Sequence, residues 1–440
     1  MASNNTPNQL KKILGQSFGV AILVGSTIGV GILRTPGSIA SLLDSYWLII
    51  SCWLVGGVYV LFGVGTYAEL ATMLPKAGGS YNYIKLAFGR YWGFVTGWFD
   101  YIANAIAPAF FCIVIGEYIV KLFPALQQFS AIIAVAFLVG FVLLHATGVR
   151  SGSIMQQVTS VVKVFLFVVL IVACFMYSGV TVTALDQSPQ LLEVSVVISF
   201  FKALQLVLGT YNGWAAGSYF AEEDKDPGKN IPTSMYRGAF VLIIIYTLIN
   251  FAFFSVLPVQ ALAGKELAAA DVASQIFGNR GGTIVTIISL FSIVSILNAY
   301  MMIPSRILFG LSRDGFFIPK GALVNRGGTP IVSLIISGVF ALILLLVGSF
   351  DVLFTLSSSF SIIVWGLAYA ALIRLRRSEP ELPRPYKSWG YPFTSILMVL
   401  FSVALLVGII LSDKISLISV LIALIISYPV FLVIQKTSKN

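Results

Sequence analysis

Leu23 to Gly37 reads LVGSTIGVGILRTPG. Three glycines (Gly25, Gly29, Gly31) and a Ser-Thr pair (Ser26, Thr27) interrupt the first long apolar run of the chain. Apolar runs of about 20 residues, the length that crosses a bilayer as a helix, recur along all 440 residues. Of these, 58% are hydrophobic and only 10% charged. Glycine disfavours a helix interior by about 1 kcal/mol relative to alanine, and hydrocarbon offers no water to the backbone groups that an unwound turn releases. Such backbone persists at membrane depth only where protein buries it or a wet cavity borders it. Close helix packing is the simpler explanation of one small-residue cluster. A second cluster weighs against it: Leu206 to Glu223 reads LVLGTYNGWAAGSYFAEE, with Gly209, Thr210, Asn212, Gly213 and Gly217 inside another apolar run.

Working outward from these stretches, the hydropathy pattern predicts an all-α membrane protein of twelve transmembrane helices. They form a single domain over 1–440 with mostly short loops. The two interrupted runs are the first and the sixth. In a fold of two five-helix halves (18–178 and 195–373, with two extra helices over 391–434) they hold corresponding positions, the sequence pointer to a transport site. A broken helix exposes free N–H groups and positive dipole character at one end and free carbonyls at the other. An α-amino acid zwitterion carries the matching carboxylate and ammonium. The backbone around Ser26, Thr27, Gly29, Val30 and Gly31 is expected to take the carboxylate. Carbonyls near Ile22–Gly25 and at Leu208, Gly209 and Thr210 are expected to take the ammonium. Tyr211, Asn212 and Trp214 would border the side-chain pocket.

The formal charge of +10 does not point to nucleic acid, because it is distributed by membrane side. With both termini cytoplasmic, only Arg34, Lys121, Lys265, Arg280 and Lys414 fall outside. Lys163 and Lys202 lie within spans, and the rest of the 27 basic residues fall inside. This positive-inside bias predicts a multi-pass plasma-membrane protein of the bacterial inner-membrane type. Cys52, Cys112 and Cys174 are scattered through separate spans, which suits apolar packing rather than a disulfide framework or a metal site. With a single histidine, His145, and no pair of acids in mid-span, the chain lacks the convergent groups of an enzyme. No metal or cofactor is expected.

Five stretches in order carry a family resemblance: GSTIGVGILRTPG (from Gly25), ELATMLPKAGGSYNYI (from Glu69), YNGWAAGSYFAEEDKDPGKNIPTSM (from Tyr211), SILNAYMMIPSRILFGLSRDG (from Ser295) and EPELPRPYKSWGYP (from Glu379). They resemble the amino acid–polyamine–organocation superfamily, and the last is similar to the L-type amino acid transporter branch. The resemblance implies the leucine-transporter fold, a 5+5 inverted repeat with discontinuous helices 1 and 6, and amino acid transport by alternating access. It also gives Lys163, in QQVTSVVKVFLFVVLIV, a role. Sodium-independent members carry a lysine there in the place of a sodium ion, so Lys163 is expected to hydrogen-bond the unwound first span as a cation mimic. A charged lysine in mid-membrane costs about 2.5–3.5 kcal/mol on insertion scales and needs a partner. The chain departs from the family twice. Relatives that pair with a disulfide-linked heavy chain carry a cysteine after span 3, and GEYIVKLFPALQQFS (from Gly116) has none, so no such partner is expected. Asn212-Gly213 stands where the family often has Gly-Gly.

Other polar residues in spans have two readings each. Glu69 anchors the first cytoplasmic loop or couples protons. Asp100 faces the pathway or pairs with Lys202. Asn298 lines the cavity or packs. Arg34 snorkels or forms a gating pair with an acid such as Glu193 or Asp351. The expected function is sodium-independent transport of small or neutral L-amino acids, by exchange or as a uniporter. Proton symport is the alternative, and a non-transporting amino acid sensor is the alternative of another class.

Overall fold

The computed structural model describes residues 9–177, 194–412 and 414–437. Part of each tail, whose side of the membrane the charge pattern predicts, lies outside these residues, as do Glu193 and residue 178, the limit of the first expected repeat. The first apolar run folds as two helices, α1 (Gln16–Thr27) and α2 (Val30–Ala40), bent by 44° across Ile28 and Gly29. There follow α3 (Tyr46–Met73), a short α4 (Ser80–Phe88), α5 (Arg90–Leu122), α6 (Ser130–Ala146) and α7 (Val149–Met176). The helix α8 (Val194–Thr210) stops at the second glycine cluster. The chain then turns through residues 211–215 and resumes as a 3-10 segment, Ala216–Glu223. Beyond it come α9 (Pro227–Val256), α10 (Val259–Leu262), α11 (Ala268–Phe277), α12 (Gly281–Arg313), α13 (Ile331–Val347), α14 (Phe350–Ser378), α15 (Phe393–Ser412) and α16 (Lys414–Thr437).

Among the described residues, eight helices are long and apolar enough to cross a membrane, and α1 with α2 qualifies as a ninth, broken span. Three shorter apolar helices, Ser195–Thr210, Ile331–Val347 and Phe393–Gly408, complete the set. Large apolar side chains cover the outside, such as Leu143, Val161, Phe165 and Leu400, as a lipid solvent allows. Polar side chains such as Lys163, Gln156 and Asn298 are turned inward, where they find protein partners. The interior is built around α1, which packs against α7, α9 and α12, while α5 packs against α12 and α14. Cys52, Cys112 and Cys174 are buried free thiols.

Candidate functional site

The first break is held open by side chains from its neighbours. Where α1 ends, its last carbonyls have no helical N–H to meet. Lys163 of α7, fully buried at 0% exposure, donates from Nζ to Gly25 O at 2.8 Å and to Ile28 O at 2.5 Å. One turn earlier, Ser160 Oγ donates to Ala21 O (2.8 Å) and Gln156 Nε2 reaches the same oxygen (3.3 Å). Gln156, Ser160 and Lys163 recur every three to four residues, so one face of α7 lines the broken helix. On the other side of the bend, Gly29 is extended and no side chain caps α2. The first N–H groups of α2 are thus left for another acceptor.

The second break touches the first. Gly213 has φ +109°, and a Cβ there would stand 2.6 Å from Ser26 O and 2.9 Å from Thr27 Oγ1. Only glycine lets the two unwound backbones come this close. Ser26 Oγ lies 2.6 Å from Ile22 O and 3.0 Å from Gly213 O, and its single proton serves one of them at a time. Tyr246 of α9 reaches both breaks: its hydroxyl is 3.0 Å from Thr27 O and 3.1 Å from Thr210 O. Thr35 and Thr210 hydroxyls meet at 2.9 Å. Thr27 Oγ1 is buried without a partner.

The sequence-expected residues divide accordingly. Ser26, Thr27, Gly29, Val30 and Gly31 surround the first bend. Leu208, Gly209 and Thr210 are still wound, the last turn of α8, and the second break begins at Tyr211. The Ile22–Gly25 carbonyls, expected to be open, already have partners: Ser26 Oγ on Ile22 O, the Ile28 N–H on Val24 O and Lys163 on Gly25 O. Tyr211 packs against Tyr246 with the rings tilted by 52° (4.8 Å between ring centres), and Trp214 meets Tyr67 and Trp365 at 5.1 and 5.6 Å.

Asn212 and Gly213 open on a cavity that Asp100, Asn104, Tyr219, Tyr300, Ser361 and Trp365 also line. Its water-accessible volume is about 20 Å3, room for about one water. Asp100 is 2% exposed. Its Oδ1 accepts from Tyr219 Oη (2.7 Å) and Asn104 Nδ2 (2.9 Å), and its buried Oδ2 is turned to the start of α4, beside Gly79 and the Ser80 donors. Lys202 is exposed and forms no ion pair among the described residues, so the Asp100–Lys202 pairing is not made. Asn298 turns to α7, donating to Gln156 Oε1 (2.7 Å) and Gly152 O (3.1 Å); it braces the Lys163 face. Glu69 anchors a different loop from the expected one: Arg376 binds it through two hydrogen bonds (2.8 and 2.6 Å) and the Ser388 N–H donates to it at 2.7 Å. Arg34 Nε donates to Glu266 O (3.1 Å); the acids expected as its gating partners, Glu193 and the Asp351 side chain, lie outside the description.

The sequence model of the family described as amino acid permease matches residues 14–434. The chain belongs to that family. Within the amino acid–polyamine–organocation superfamily it falls in the L-type branch. The serine/threonine exchanger SteT of Bacillus subtilis (strain 168) is 28% identical over 424 residues, covering 93% of each chain. The human b(0,+)-type amino acid transporter 1 is 27% identical over 423 residues (92% of this chain, 83% of the relative). The human cystine/glutamate transporter is 28% identical over 412 residues (90% and 81%). The permease is a multi-pass amino acid transporter and not an enzyme.

A polar lattice around the 3-10 segment was missed by the sequence reading. Arg306 binds Glu223 through two nitrogens (2.8 and 3.1 Å), both residues almost fully buried. Arg313 binds Glu222 (2.7 Å), which also accepts from the Ala77 N–H (2.7 Å). Lys85 and Tyr81 converge on Asp314. Tyr246, Gln156, Ser160 and Tyr219 were missed as well. The three polar residues of α7 at helical spacing were a readable signal, whereas a lone tyrosine in an apolar run such as Tyr246 carries none.

Proposed function

We propose that the permease is a sodium-independent exchanger of small neutral L-amino acids, bound at the paired helix breaks and moved by alternating access. The observation that carries this reading is Lys163 Nζ, placed between Gly25 O and Ile28 O. Those carbonyls lie in the last turn of α1 and in the bend after it, where helical N–H donors run out. A lysine there supplies the donors permanently, in its charged or its neutral form, since two hydrogens suffice. The uncapped start of α2 suits the substrate carboxylate. The SteT relative, a serine/threonine exchanger, favours small hydroxylated side chains for this chain too.

The proposed architecture is twelve spans, ten in a 5+5 inverted repeat and two appended. It is supported by the eight long helices, the broken pair and the three shorter helices. The distribution of basic residues supports a plasma-membrane protein with both termini on the cytoplasmic side. The chain works without a disulfide-linked heavy chain on this reading, because Gly116–Ser130 holds no cysteine.

Counterflow in proteoliposomes tests the proposal. Labelled serine should accumulate against unlabelled internal serine equally well in sodium and in choline buffer. A sodium requirement would overturn the assignment of Lys163. Net uptake driven only by an imposed pH gradient would replace exchange by proton symport, and binding without accumulation would leave a sensor.

A further inference from the structure

A recess on the outer face of α3 and α9 is built differently from the apolar surface around it. α3 contributes Leu61 and Phe62, α9 contributes Tyr236 and Phe240, and the loop before α15 closes it with Tyr386, Ser388 and Trp389. It holds about 330 Å3 of water-accessible space, within the range of ligand sites, about 300–1,000 Å3. Gly65 lets polar groups approach α3 there: a Cβ on it would stand 2.8 Å from Tyr236 Oη and 2.9 Å from Ser388 Oγ. The Tyr236 and Tyr386 hydroxyls meet at 2.7 Å, and one hydrogen bond between them leaves a second proton for a further acceptor. Trp389, 75% exposed, stands beside Phe62 with 6.3 Å between ring centres. An aromatic ring so placed suits the boundary between hydrocarbon and headgroups.

From the recess an apolar seam runs along the two helices. They pack antiparallel, with Gly57 against Ile243 and Gly65 against Tyr236. That register sets the exposed Val58 and Leu54 of α3 beside the exposed Ile244 and Leu248 of α9. At a rise of 1.5 Å per residue the path from Leu61 to Leu54 is about 10 Å. The other end of the recess is bordered by positive charge. Arg237 lies one turn from Phe240 on α9, and Lys387 sits between Tyr386 and Ser388. Both are exposed, and among the described residues neither forms an ion pair, whereas Arg376 and Arg384 are both committed to Glu69. Free cations at the mouth and a hydrocarbon groove below it are complementary to an amphiphile with an anionic head.

We propose that this recess is a binding site for one anionic phospholipid of the leaflet on the basic side of the membrane. The phosphate lies against Arg237 and Lys387, and a phosphate or ester oxygen accepts the spare tyrosine proton. One acyl chain passes Leu61 and Phe240 into the seam toward Leu54 and Leu248. The site is separate from the two helix breaks and stands whether or not they bind an amino acid.

Trp389 reports on occupancy of the recess. The full-length protein is reconstituted in phosphatidylcholine nanodiscs with increasing brominated phosphatidylglycerol or, in a parallel series, brominated phosphatidylcholine. Bromine quenching of Trp389 is taken as the difference between the wild type and Trp389→Phe. Half-maximal quenching should come at a mole fraction about tenfold or more lower for phosphatidylglycerol, the scale of two cations beside a headgroup. In the double variant Arg237→Gln, Lys387→Gln the ratio should fall to about 1, because the groove remains and the charge is gone. Equal mole fractions for the two lipids in the wild type overturn the proposal and leave ordinary annular lipid. So does a preference for phosphatidylglycerol that survives the double substitution. Trp389 fluorescence that neither lipid quenches overturns it as well, since the recess is then closed to the bilayer. Should the double variant not fold, the wild type in roughly 1 M sodium chloride decides: there the screening length is about 3 Å, the preference should be lost, and its persistence overturns the site.

Discussion

Replacing Gly213 by alanine tests whether the two breaks act as one site. The added Cβ would stand 2.6 Å from Ser26 O, 2.8 Å from Ser26 C and 2.9 Å from Thr27 Oγ1, and the residue sits at φ +109°. Two of the three neighbours are backbone at the end of α1, so no side chain can swing away to make room. A side chain at such a positive φ costs about 1–3 kcal/mol, and overpacking adds about 1–3 kcal/mol. The sum is about 2–6 kcal/mol, and its lower bound corresponds to about 30-fold in an equilibrium constant. The cost falls on the contact between Gly213 and Ser26, so substrate binding should suffer with stability. Gly209→Ala is the matched control: that glycine lies in the last turn of α8 with nothing within 4 Å of its Cβ position. There alanine should stabilise the helix by up to about 1 kcal/mol. Melting temperature in detergent and serine counterflow in proteoliposomes are the two readouts. Gly213→Ala should lower both, with counterflow reduced at least 30-fold at subsaturating serine. Wild-type counterflow in Gly213→Ala would refute the reasoning, because the backbones would then not need their close approach.

Further outcomes follow from the same contacts. Lys163→Met keeps the volume but strips donors from Gly25 O and Ile28 O; at about 1–3 kcal/mol per stranded carbonyl it should lower the melting temperature and abolish uptake, measured beside wild-type uptake in choline buffer. Tyr246→Phe removes the one proton shared by Thr27 O and Thr210 O and should cost about 1–3 kcal/mol of stability, read as a lower melting temperature and a raised KM for serine. Glu223→Gln leaves the Arg306 charge buried without its partner and should destabilise by about 3–5 kcal/mol, whereas Glu223→Gln with Arg306→Met should recover much of that loss in the same thermal melt.

The breaks were legible because glycine and small polar residues in an apolar run are anomalies that hydrocarbon does not tolerate without cause. That Lys163 needs a partner was legible for the same reason, a charge between Val162 and Val164; that the partner is the first span was implied by the family resemblance. What escaped the sequence is what depends on three-dimensional convergence. Asp100 meets Tyr219 across 119 residues and Glu69 meets Arg376 across 307, separations over which periodicity carries no information. The extent of the second break was misplaced for a local reason. Gly209 marks a weak point in a helix, but the helical path holds through Thr210, and the Tyr211 N–H still donates to Val207 O (3.0 Å). The positive φ within the turn comes at Gly213.

The carbonyls around the two breaks then decide where an amino group can go. In this conformation Ala21 O, Ile22 O, Val24 O, Gly25 O and Ile28 O all hold donors from α1 itself or from α7. Thr27 O and Thr210 O differ. They share the Tyr246 hydroxyl at 3.0 and 3.1 Å, and one proton satisfies only one carbonyl at a time. One acceptor is always in excess there, at the point where the ends of α1 and α8 come together. On the proposed reading the substrate ammonium, with three donors, takes the unmatched carbonyl and lets Tyr246 settle on the other, while its carboxylate faces the start of α2. An unsatisfied buried carbonyl is worth about 1–3 kcal/mol, so the pair stays strained until substrate arrives. On that reading the binding energy is spent at the junction of the broken helices.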